Sequence, residues 1–282
     1  MSTSNPSFAI LVHACDRYEF LFRGFAYFFK KYWDFDIPLN YYFATEDKEV
    51  QIEGFKNIHS GKGQWSDRLR ILCKDHIPED YLLYFQEDMW LNKPVNGKFF
   101  IELFDFIKSK GTVLTKLHSS SVYKTIPLNL FIEGFNVSRV NIKESSYLMS
   151  HQASIWKRDF LIEQMKPNEN PWRNEKRGSR RIKKIAPEIL ILDYFAENGK
   201  PEINQNKNPL GRSDYSTISV NAMLNHNILP YINELMQSED EETKQYAVDL
   251  QNHYEMRITH DGLHQPRKDD FFKTLRNKIK GK

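Results

Sequence analysis

Two acidic side chains at the end of an apolar run are the first residues that could do chemistry. Residues 82–85 are apolar or aromatic, and Gln86, Glu87 and Asp88 follow directly. Buried charge without compensation is costly, so these acids require water, a metal ion or a cationic partner. Side chains alternate along a strand, which predicts that Gln86 and Asp88 share one face, that Glu87 lies on the other, and that only one acid enters the cleft. Glu87 could still turn inward if the strand breaks.

A second candidate position lies near the N-terminus. The apolar run 8–14 is typical of a strand buried on both faces, and Cys15, Asp16 and Arg17 follow it. Ligands of open parallel sheets bind outside the carboxyl ends of the strands, where Asp16 and Asp88 are both expected. Asp16 could equally cap the helix that it precedes.

The elements that must position these residues alternate between strand and helix as far as residue 119. Strands are predicted at 8–14, 38–45, 55–61, 80–91 and 112–119, and helices at 16–33, 66–77 and 97–110. Ser66 is the expected N-cap of the second helix, and Gly111 is the expected end of the third. The pattern predicts an α/β fold with a mostly parallel central sheet flanked by helices.

The rest of the chain is less regular. Residues 120–156 give no clear pattern, and a short helix is predicted from about Lys157. Residues 173–184 carry seven basic side chains and one apolar one, which predicts a mobile loop. Further predictions are a helix at 187–198, a surface loop at 200–214, and two closing helices at 233–258 and 266–279.

Length, charge and cysteine content narrow the function classes. The 282 residues favour one main domain, and 40 basic against 37 acidic residues give a net charge of +3, too small to indicate nucleic-acid binding by itself. Two cysteines favour a reducing compartment, for which the cytoplasm fits best. No secretion signal is apparent, and no apolar run approaches the roughly 18 residues of a membrane-spanning helix.

The order of several motifs resembles a known enzyme family. The segments are "AILVHACDRY", "GQWSDRLRILC", "DYLLYFQEDMWL", "HQASIWKRDFL" and "ENPWRNE". Together they resemble bacterial GT-A-type glycosyltransferases that build lipopolysaccharide, capsule and related surface glycans. The resemblance implies a GT-A-like (Rossmann-like) catalytic domain at 1–232, with a nucleotide-sugar-binding half at 1–119 and an acceptor-side half at 120–232. Residues 233–282 would be a basic, helical C-terminal extension.

The resemblance implies a donor site for a nucleotide sugar, with a UDP sugar favoured. Cys15, Asp16 and Arg17 would border the base. The second motif would supply Trp65, Asp67 and Arg68 to the nucleoside and diphosphate. This agrees with their chemistry, because an aromatic ring stacks, a carboxylate accepts hydrogen bonds and a guanidinium pairs with phosphate. Glu87 and Asp88 complete the predicted donor-binding set, and Trp65 could also be an ordinary core residue.

The resemblance also implies a divalent cation at the acid pair. Related enzymes usually carry Asp-x-Asp there and hold Mn²⁺ or Mg²⁺ against the two phosphates. The matching positions here are Gln86 and Asp88, so one expected carboxylate is replaced by an amide. Asp88 is therefore the predicted metal ligand and a predicted catalytic residue, with binding to ribose as the alternative role.

The acceptor would be a hydroxyl of a glycan or a lipid-linked glycan. The resemblance places an acid shortly after the "PW" element, which makes Glu175 the predicted general base, with Glu169 as the nearby alternative. His151, Gln152 and Trp172 would bind the acceptor.

Three roles remain open for the basic stretch 173–184. It could close over the donor as a lid, attract anionic lipid at the inner face of the membrane, or simply be solvated. A nucleic-acid-binding protein is the non-enzymatic alternative, although no nucleic acid is expected from the near-neutral total charge. A nucleotidyltransferase should carry a glycine-rich phosphate loop, and "HACDRY" contains no glycine.

Overall fold

The structure is a computed structural model that describes residues 7–196, 207 and 211–263. Its strands are β1 (Phe8–His13), β2 (Asn40–Thr45), β3 (Lys56–His59), β4 (Tyr81–Phe85), β5 (Met89–Leu91), β6 (Leu114–His118), β7 (Thr125–Ile132), β8 (Phe135–Val140), β9 (Ser154–Lys157), β10 (Ile189–Phe195), β11 (Tyr215–Thr217), β12 (Ser219–Val220) and β13 (Met223–Leu224). Its α-helices are α1 (Phe22–Tyr32), α2 (Trp65–Ile71), α3 (Gly97–Lys110), α4 (Arg158–Gln164), α5 (Pro171–Ile185), α6 (Leu229–Met236) and α7 (Glu241–Met256). A 3-10 turn at Asp16–Leu21 leads into α1, and a π-helical turn at Leu72–His76 extends α2.

Contacts between residues divide the chain into two compact units. Among the described residues, the first holds those up to 16 together with those within 21–217, and the second holds 17–20 together with those from 218. No described helix combines the length and apolar character needed to cross a membrane.

The first unit is built on one large sheet. Within the described residues it has nine strands in the order β3–β2–β1–β4–β9–β6–β10–β8–β7. The pairing directions leave β8 and β9 antiparallel to the other seven strands. Strand β9 lies in the middle of the sheet, antiparallel to both β4 and β6.

Helices cover both faces of this sheet. Phe25 and Phe29 of α1 contact Phe43 and Phe85, which project from one face. The neighbouring residue Tyr84 projects to the opposite face, where side chains of α2, α4 and α5 join one buried apolar cluster with those of the strands. The predicted α/β architecture with a mostly parallel, helix-flanked sheet is therefore confirmed.

Several local predictions are also confirmed. Strands lie at β1, β2, β3 and β6 close to the predicted ranges, and α3 occupies the predicted residues 97–110. Gly111 ends α3 with φ 64°, a left-handed conformation that glycine adopts without steric cost. Asn96 caps the other end, where its side chain accepts from the backbone N–H groups of Lys98 and Phe99.

The mobile loop predicted at 173–184 is wrong, because this stretch belongs to α5. Asn170 caps the helix by accepting from the Arg173 N–H, and Pro171 occupies its first turn. Asn174, Gly178 and Ile182 recur at i, i+4 and i+8 and are buried. One narrow buried stripe is thus enough to hold a helix whose other faces are basic.

Three other elements differ from the sequence prediction. Residues 187–198 were expected to form a helix, but Ile189–Phe195 is strand β10, buried between β6 and β8. A short apolar run fits a buried strand as well as a buried helix, and sheet pairing decides between them. Ser66 does not cap α2, since Gln64 occupies the N-cap position. The helix predicted at 233–258 is two helices, α6 and α7.

Two predicted segments lie wholly or mostly outside the described residues. They are the closing helix at 266–279 and the surface loop at 200–214, of which residues 207 and 211–214 are described. The irregular region 120–156 contains the antiparallel pair β7 and β8 and most of β9.

The described part of the second unit contains α6, α7 and the short antiparallel pair of β12 and β13. Tyr231 and Leu235 of α6 and Tyr246 and Leu250 of α7 are buried. The hydroxyl of Tyr246 donates to the Phe20 carbonyl oxygen at 2.9 Å, which ties residues 17–20 to this unit.

Candidate active site

The carboxyl ends of β1, β2 and β4 meet at one edge of the sheet, because these neighbouring strands are parallel. Asp16 follows β1, and its carboxylate accepts from the backbone N–H groups of Glu46, Asp47 and Lys48 at 2.8, 2.9 and 3.1 Å. Glu46 returns the contact by accepting from the Asp16 N–H at 3.1 Å. Asp16 therefore fixes the loop after β2.

Arg68 links three loops at the same edge. Its guanidinium donates to the Ala14 carbonyl oxygen at 2.6 Å and to the Ser60 hydroxyl at 3.1 Å, and pairs with Glu46 at 3.0 Å. Only 5% of Arg68 is exposed, so the Glu46 carboxylate compensates the buried positive charge of Arg68, which would otherwise be costly. Arg68 lies at the predicted donor edge, and its guanidinium already bonds to protein groups there.

The acid pair lies on a turn and not on a strand. Strand β4 ends at Phe85, and the Met89 N–H donates to the Gln86 carbonyl oxygen at 3.1 Å. Strand alternation thus stops before Gln86, so the prediction that only one of the two acids enters the cleft does not apply, and the break in the strand considered for Glu87 is present. Glu87 is 3% exposed and accepts from the Cys15 backbone N–H, which places its carboxylate beside the β1 loop.

The two acids share a poorly solvated environment. Burial, followed by the charge of Asp88, raises the pKa of Glu87 well above its usual range. Burial also raises the pKa of Asp88 to about 7. A cation or a donor of hydrogen bonds arriving here would relieve the repulsion between the carboxylates. No group of three or more potential side-chain ligands that could hold a metal occurs among the described residues.

The rings of Trp65, His13 and His151 form one group, and both imidazoles lie beside the Tyr84 ring near the end of β4. The Trp65 ring lies 4.2 Å from the His151 ring and 5.4 Å from the His13 ring, measured between centroids. Burial lowers the pKa of His151 to about 3 and that of His13 well below its usual range, so both rings are neutral. Within the described part of the chain, Nε2 of both rings is buried and has no hydrogen-bond partner. Buried polar atoms without a partner are uncommon, which makes both rings candidate site residues.

Glu175 of α5 contacts this group of rings through His151. Its carboxylate accepts from the His151 backbone N–H at 3.1 Å. Burial raises the pKa of Glu175, while the His151 N–H and the charge of Lys116 act in the opposite direction. A carboxylate with a raised pKa is better matched to taking a proton near neutral pH.

The other predicted site residues have partners of their own or are exposed. Gln152 accepts from the Tyr215 hydroxyl at 2.7 Å, and Asp67 accepts from the Asn168 N–H at 3.1 Å. Trp172 lies in the first turn of α5 with 68% of its surface exposed. Arg17 belongs to the second unit, where its guanidinium pairs with Asp261 at 2.8 Å.

Glu169, the alternative base, has a structural role. It is 2% exposed and accepts from the Asn174 amide at 2.8 Å and from Arg181 at 2.9 Å. These bonds join the loop before α5 to two turns of the helix. Its carboxylate is thereby occupied by protein donors.

Three polar residues of this region were not predicted from the sequence, namely His13, Glu46 and Lys116. Glu46 directly follows β2, so the rule that selected Asp16 and Asp88 would also have selected it. Lys116 is fully buried in β6, donates to the Ser150 hydroxyl at 3.0 Å and lies 4.7 Å from the Tyr123 ring. For His13 and Lys116, the available signal in the sequence was a polar residue inside an otherwise apolar strand segment.

Comparisons with known proteins give only distant likenesses. The chain matches the structure of S. aureus TarS 1–349 at 11% identity and a TM-score of 0.47, over 88% of this chain and 71% of that one. The complex of TarS 1–349 with UDP-GlcNAc matches at 12% identity and a TM-score of 0.46, over 88% and 72%. A longer TarS structure matches at 11% identity and 0.45, and the chain spans 43% of it. The sequence matches no protein-family model and no curated protein.

Proposed function

We propose that this protein is a glycosyltransferase that moves a sugar from a nucleotide sugar to a hydroxyl of a glycan or lipid-linked acceptor. One observation carries the proposal: Trp65, His151 and Glu175 come from three separate segments and form one connected group. The ring predicted to face the donor and the carboxylate predicted to face the acceptor are thereby joined through a single residue.

The donor would occupy the carboxyl edge of the sheet. Trp65 offers a ring to the nucleoside, the unpartnered imidazole nitrogens of His13 and His151 offer acceptors or donors, and the backbone around Cys15 borders the base. The resemblance of the sequence motifs to surface-glycan glycosyltransferases favours a UDP sugar.

Glu175 would act as the general base in a direct displacement. Its carboxylate takes the proton of the acceptor hydroxyl as that oxygen attacks the anomeric carbon. The bond from the anomeric carbon to the diphosphate breaks, and the nucleoside diphosphate leaves with the bonding electrons. The raised pKa of Glu175 supports this role, since a base is most effective when its pKa lies near the working pH.

A divalent cation would be held by Glu87 and Asp88. Mg²⁺ in nucleotide sites uses one or two carboxylates and completes its shell with phosphate oxygens and water, so adjacent acids are a suitable donor set. Such an ion would neutralise charge on the departing diphosphate. Gln86 lies on the same turn and contributes an amide in place of a third carboxylate.

A role in bacterial surface polysaccharide synthesis, at the inner face of the membrane, follows the same sequence resemblance. The exposed basic side chains of α5 support contact with anionic lipid. The basic side chains of 173–184 would contact phosphate or lipid from a helix and not from a loop.

The proposal is tested by thermal melting with UDP, GDP and CMP sugars, each with and without Mn²⁺. A bound donor stabilises the native state, so at least one nucleotide sugar should raise the melting temperature. Release of the matching nucleotide, which is UDP, GDP or CMP, should then depend on an added glycan acceptor. Absence of any shift, combined with salt-sensitive retention of RNA, would replace the enzyme with a nucleic-acid-binding protein.

A further inference from the structure

A cavity of about 560 Å³ lies between α5 and the loop at 145–148, and we call it the α5 groove. Its volume falls in the range of roughly 300–1,000 Å³ that is usual for ligand sites. One face of the helix lines it, with Trp172, Glu175, Ser179 and Lys183 at i, i+3, i+7 and i+11. The groove includes the proposed catalytic base.

Tyr147 faces this groove in a strained conformation. Its φ is 50°, in the left-handed region, where a bulky side chain is a clear exception. The residue is 57% exposed, so more than half of its surface is accessible to a ligand. The Tyr123 hydroxyl donates to the Tyr147 carbonyl oxygen at 3.2 Å and helps hold the backbone in place. Strain of this kind concentrates at ligand sites.

The two walls of the groove are fixed to each other. The Ser179 hydroxyl accepts from the Met149 N–H at 3.1 Å and donates to the Met149 carbonyl oxygen at 3.3 Å. A Cβ at Gly178 would lie 2.7 Å from Cγ of Met149, so the helix and loop approach as closely as glycine permits. The groove is therefore preformed.

The groove presents two kinds of recognition surface. The exposed rings of Tyr147 and Trp172 offer flat apolar faces. Lys176, Arg180 and Lys183 are exposed and basic, and Glu175 is the one acid among the described lining residues. Flat rings suit the C–H faces of sugar rings, the basic groups suit anions, and the half-buried carboxylate of Glu175 suits a hydroxyl donor.

We propose that the α5 groove binds an anionic oligosaccharide, with its sugar rings on Tyr147 and Trp172 and its phosphate or carboxylate groups on Lys176 and Arg180. This inference rests on the proposed function in one respect: it names the chemical class of the acceptor. A nucleic acid also stacks on rings and pairs with basic groups, but the Glu175 carboxylate favours a hydroxyl-rich ligand over a chain of phosphates.

Isothermal titration calorimetry tests the proposal with defined probes. Trigalacturonate and phosphorylated mannotriose represent the two sources of negative charge, and neutral mannotriose is the matched control. The wild-type protein should bind at least one charged probe about tenfold more tightly than the neutral one. A uridine oligonucleotide and vesicles of equal parts phosphatidylcholine and phosphatidylglycerol represent the competing ligands.

Variants separate recognition from folding. Trp172→Ala and Tyr147→Gly should each weaken binding of the charged trisaccharide about tenfold. The melting temperature of Tyr147→Gly should not fall, because glycine accepts the left-handed conformation. Lys176→Gln combined with Arg180→Gln should remove the preference for charged probes. Lys184→Gln removes one positive charge from α5 outside the groove and should change binding less than about twofold.

The outcomes are decisive in both directions. Equal affinity for charged and neutral trisaccharides, or binding of the oligonucleotide or vesicles alone, would overturn the proposal. A lower melting temperature in Tyr147→Gly with unchanged binding would make that ring a structural element and overturn its assigned role. If trigalacturonate or phosphorylated mannotriose binds and no nucleotide sugar does, the proposed ligand of the groove is supported and the proposed transferase function is refuted. Donor binding without oligosaccharide binding would remove only the groove.

Discussion

The carboxylate of Glu175 accepts a hydrogen bond from the backbone N–H of His151 at 3.1 Å. This contact fixes a candidate base on α5 to the loop that carries the imidazole beside Trp65. It also means that substitution of Glu175 has a chemical effect and a structural effect, which a suitable replacement can separate.

Glu175→Gln should abolish transfer while preserving the fold. The glutamine oxygen can still accept from the His151 N–H, but the amide cannot take a proton from the acceptor. We expect the turnover number to fall at least about 100-fold, with a melting temperature near that of the wild type. Turnover assays and thermal melting measure the two effects, and near-normal turnover would assign the base elsewhere.

Glu169→Gln should give the opposite pattern. Glu169 is buried and accepts from Asn174 and Arg181, so the change leaves the Arg181 charge without its carboxylate partner. We expect the free energy of unfolding to drop by about 1–3 kcal/mol, with the turnover number per folded molecule largely retained. Chemical denaturation measures the loss, and full stability would contradict the assigned role of Glu169.

Gly24→Ala should destabilise the packing of α1 against Trp90, which follows the turn that carries Glu87 and Asp88. A Cβ at Gly24 would overlap the indole of Trp90, which is fully buried just beyond Asp88. Overpacking of this kind costs about 1–3 kcal/mol. Gly63→Ala is the matched control, since its new Cβ would meet only Cγ of Arg68 at 3.7 Å, and its effect should stay within about 0.5 kcal/mol. Equal effects by chemical denaturation would refute the packing argument.

Asp88→Asn should remove the metal-dependent part of donor binding. We expect Mn²⁺ to increase the thermal shift produced by UDP in the wild type and not in the variant, because one of the two carboxylate ligands is lost. Gln86→Asp supplies a further carboxylate on the same turn and should enlarge the Mn²⁺ effect. A Mn²⁺ effect that is equal in all three proteins would place the ion away from this turn.

Lys116→Met should alter the dependence of stability on pH. Burial lowers the pKa of Lys116 to about 7 from an ordinary value of 10.5, with Glu175 acting in the opposite direction. Between these values the unfolded state binds more protons, so the burial penalty is complete below pH 7 and fades as pH rises toward 10.5. The stability of the variant relative to the wild type should therefore fall from pH 6 to pH 9. Denaturation curves that differ by a constant amount over this range would contradict the low pKa.

Much of the sheet could be predicted from sequence because its strands are short apolar runs followed by polar residues. β1, β2 and β6 were recognised in this way. β10 was not, because the run "ILILDYF" has no period that separates a buried strand from a buried helix. α5 was missed because only Asn174, Gly178 and Ile182 are buried along it, and two of these three residues are not apolar.

The candidate site shows the same limit. Asp16 and Asp88 could be placed at the ligand edge from strand ends alone, whereas the turn that carries Glu87 toward Cys15 depends on where β4 stops. The contact of Glu175 with His151 joins residues 24 positions apart and is set by the packing of α5. Such contacts have no local signature in the sequence.

The central position of β9 has a consequence for how the chain can acquire its structure during synthesis. β4 and β6 are completed by residue 118, yet the strand that hydrogen-bonds between them is Ser154–Lys157. A growing chain leaves the ribosome from its N-terminus, so both strands emerge before their shared neighbour exists. We expect the first 119 residues to remain unfinished, with two open strand edges, until β9 has emerged and closes the gap.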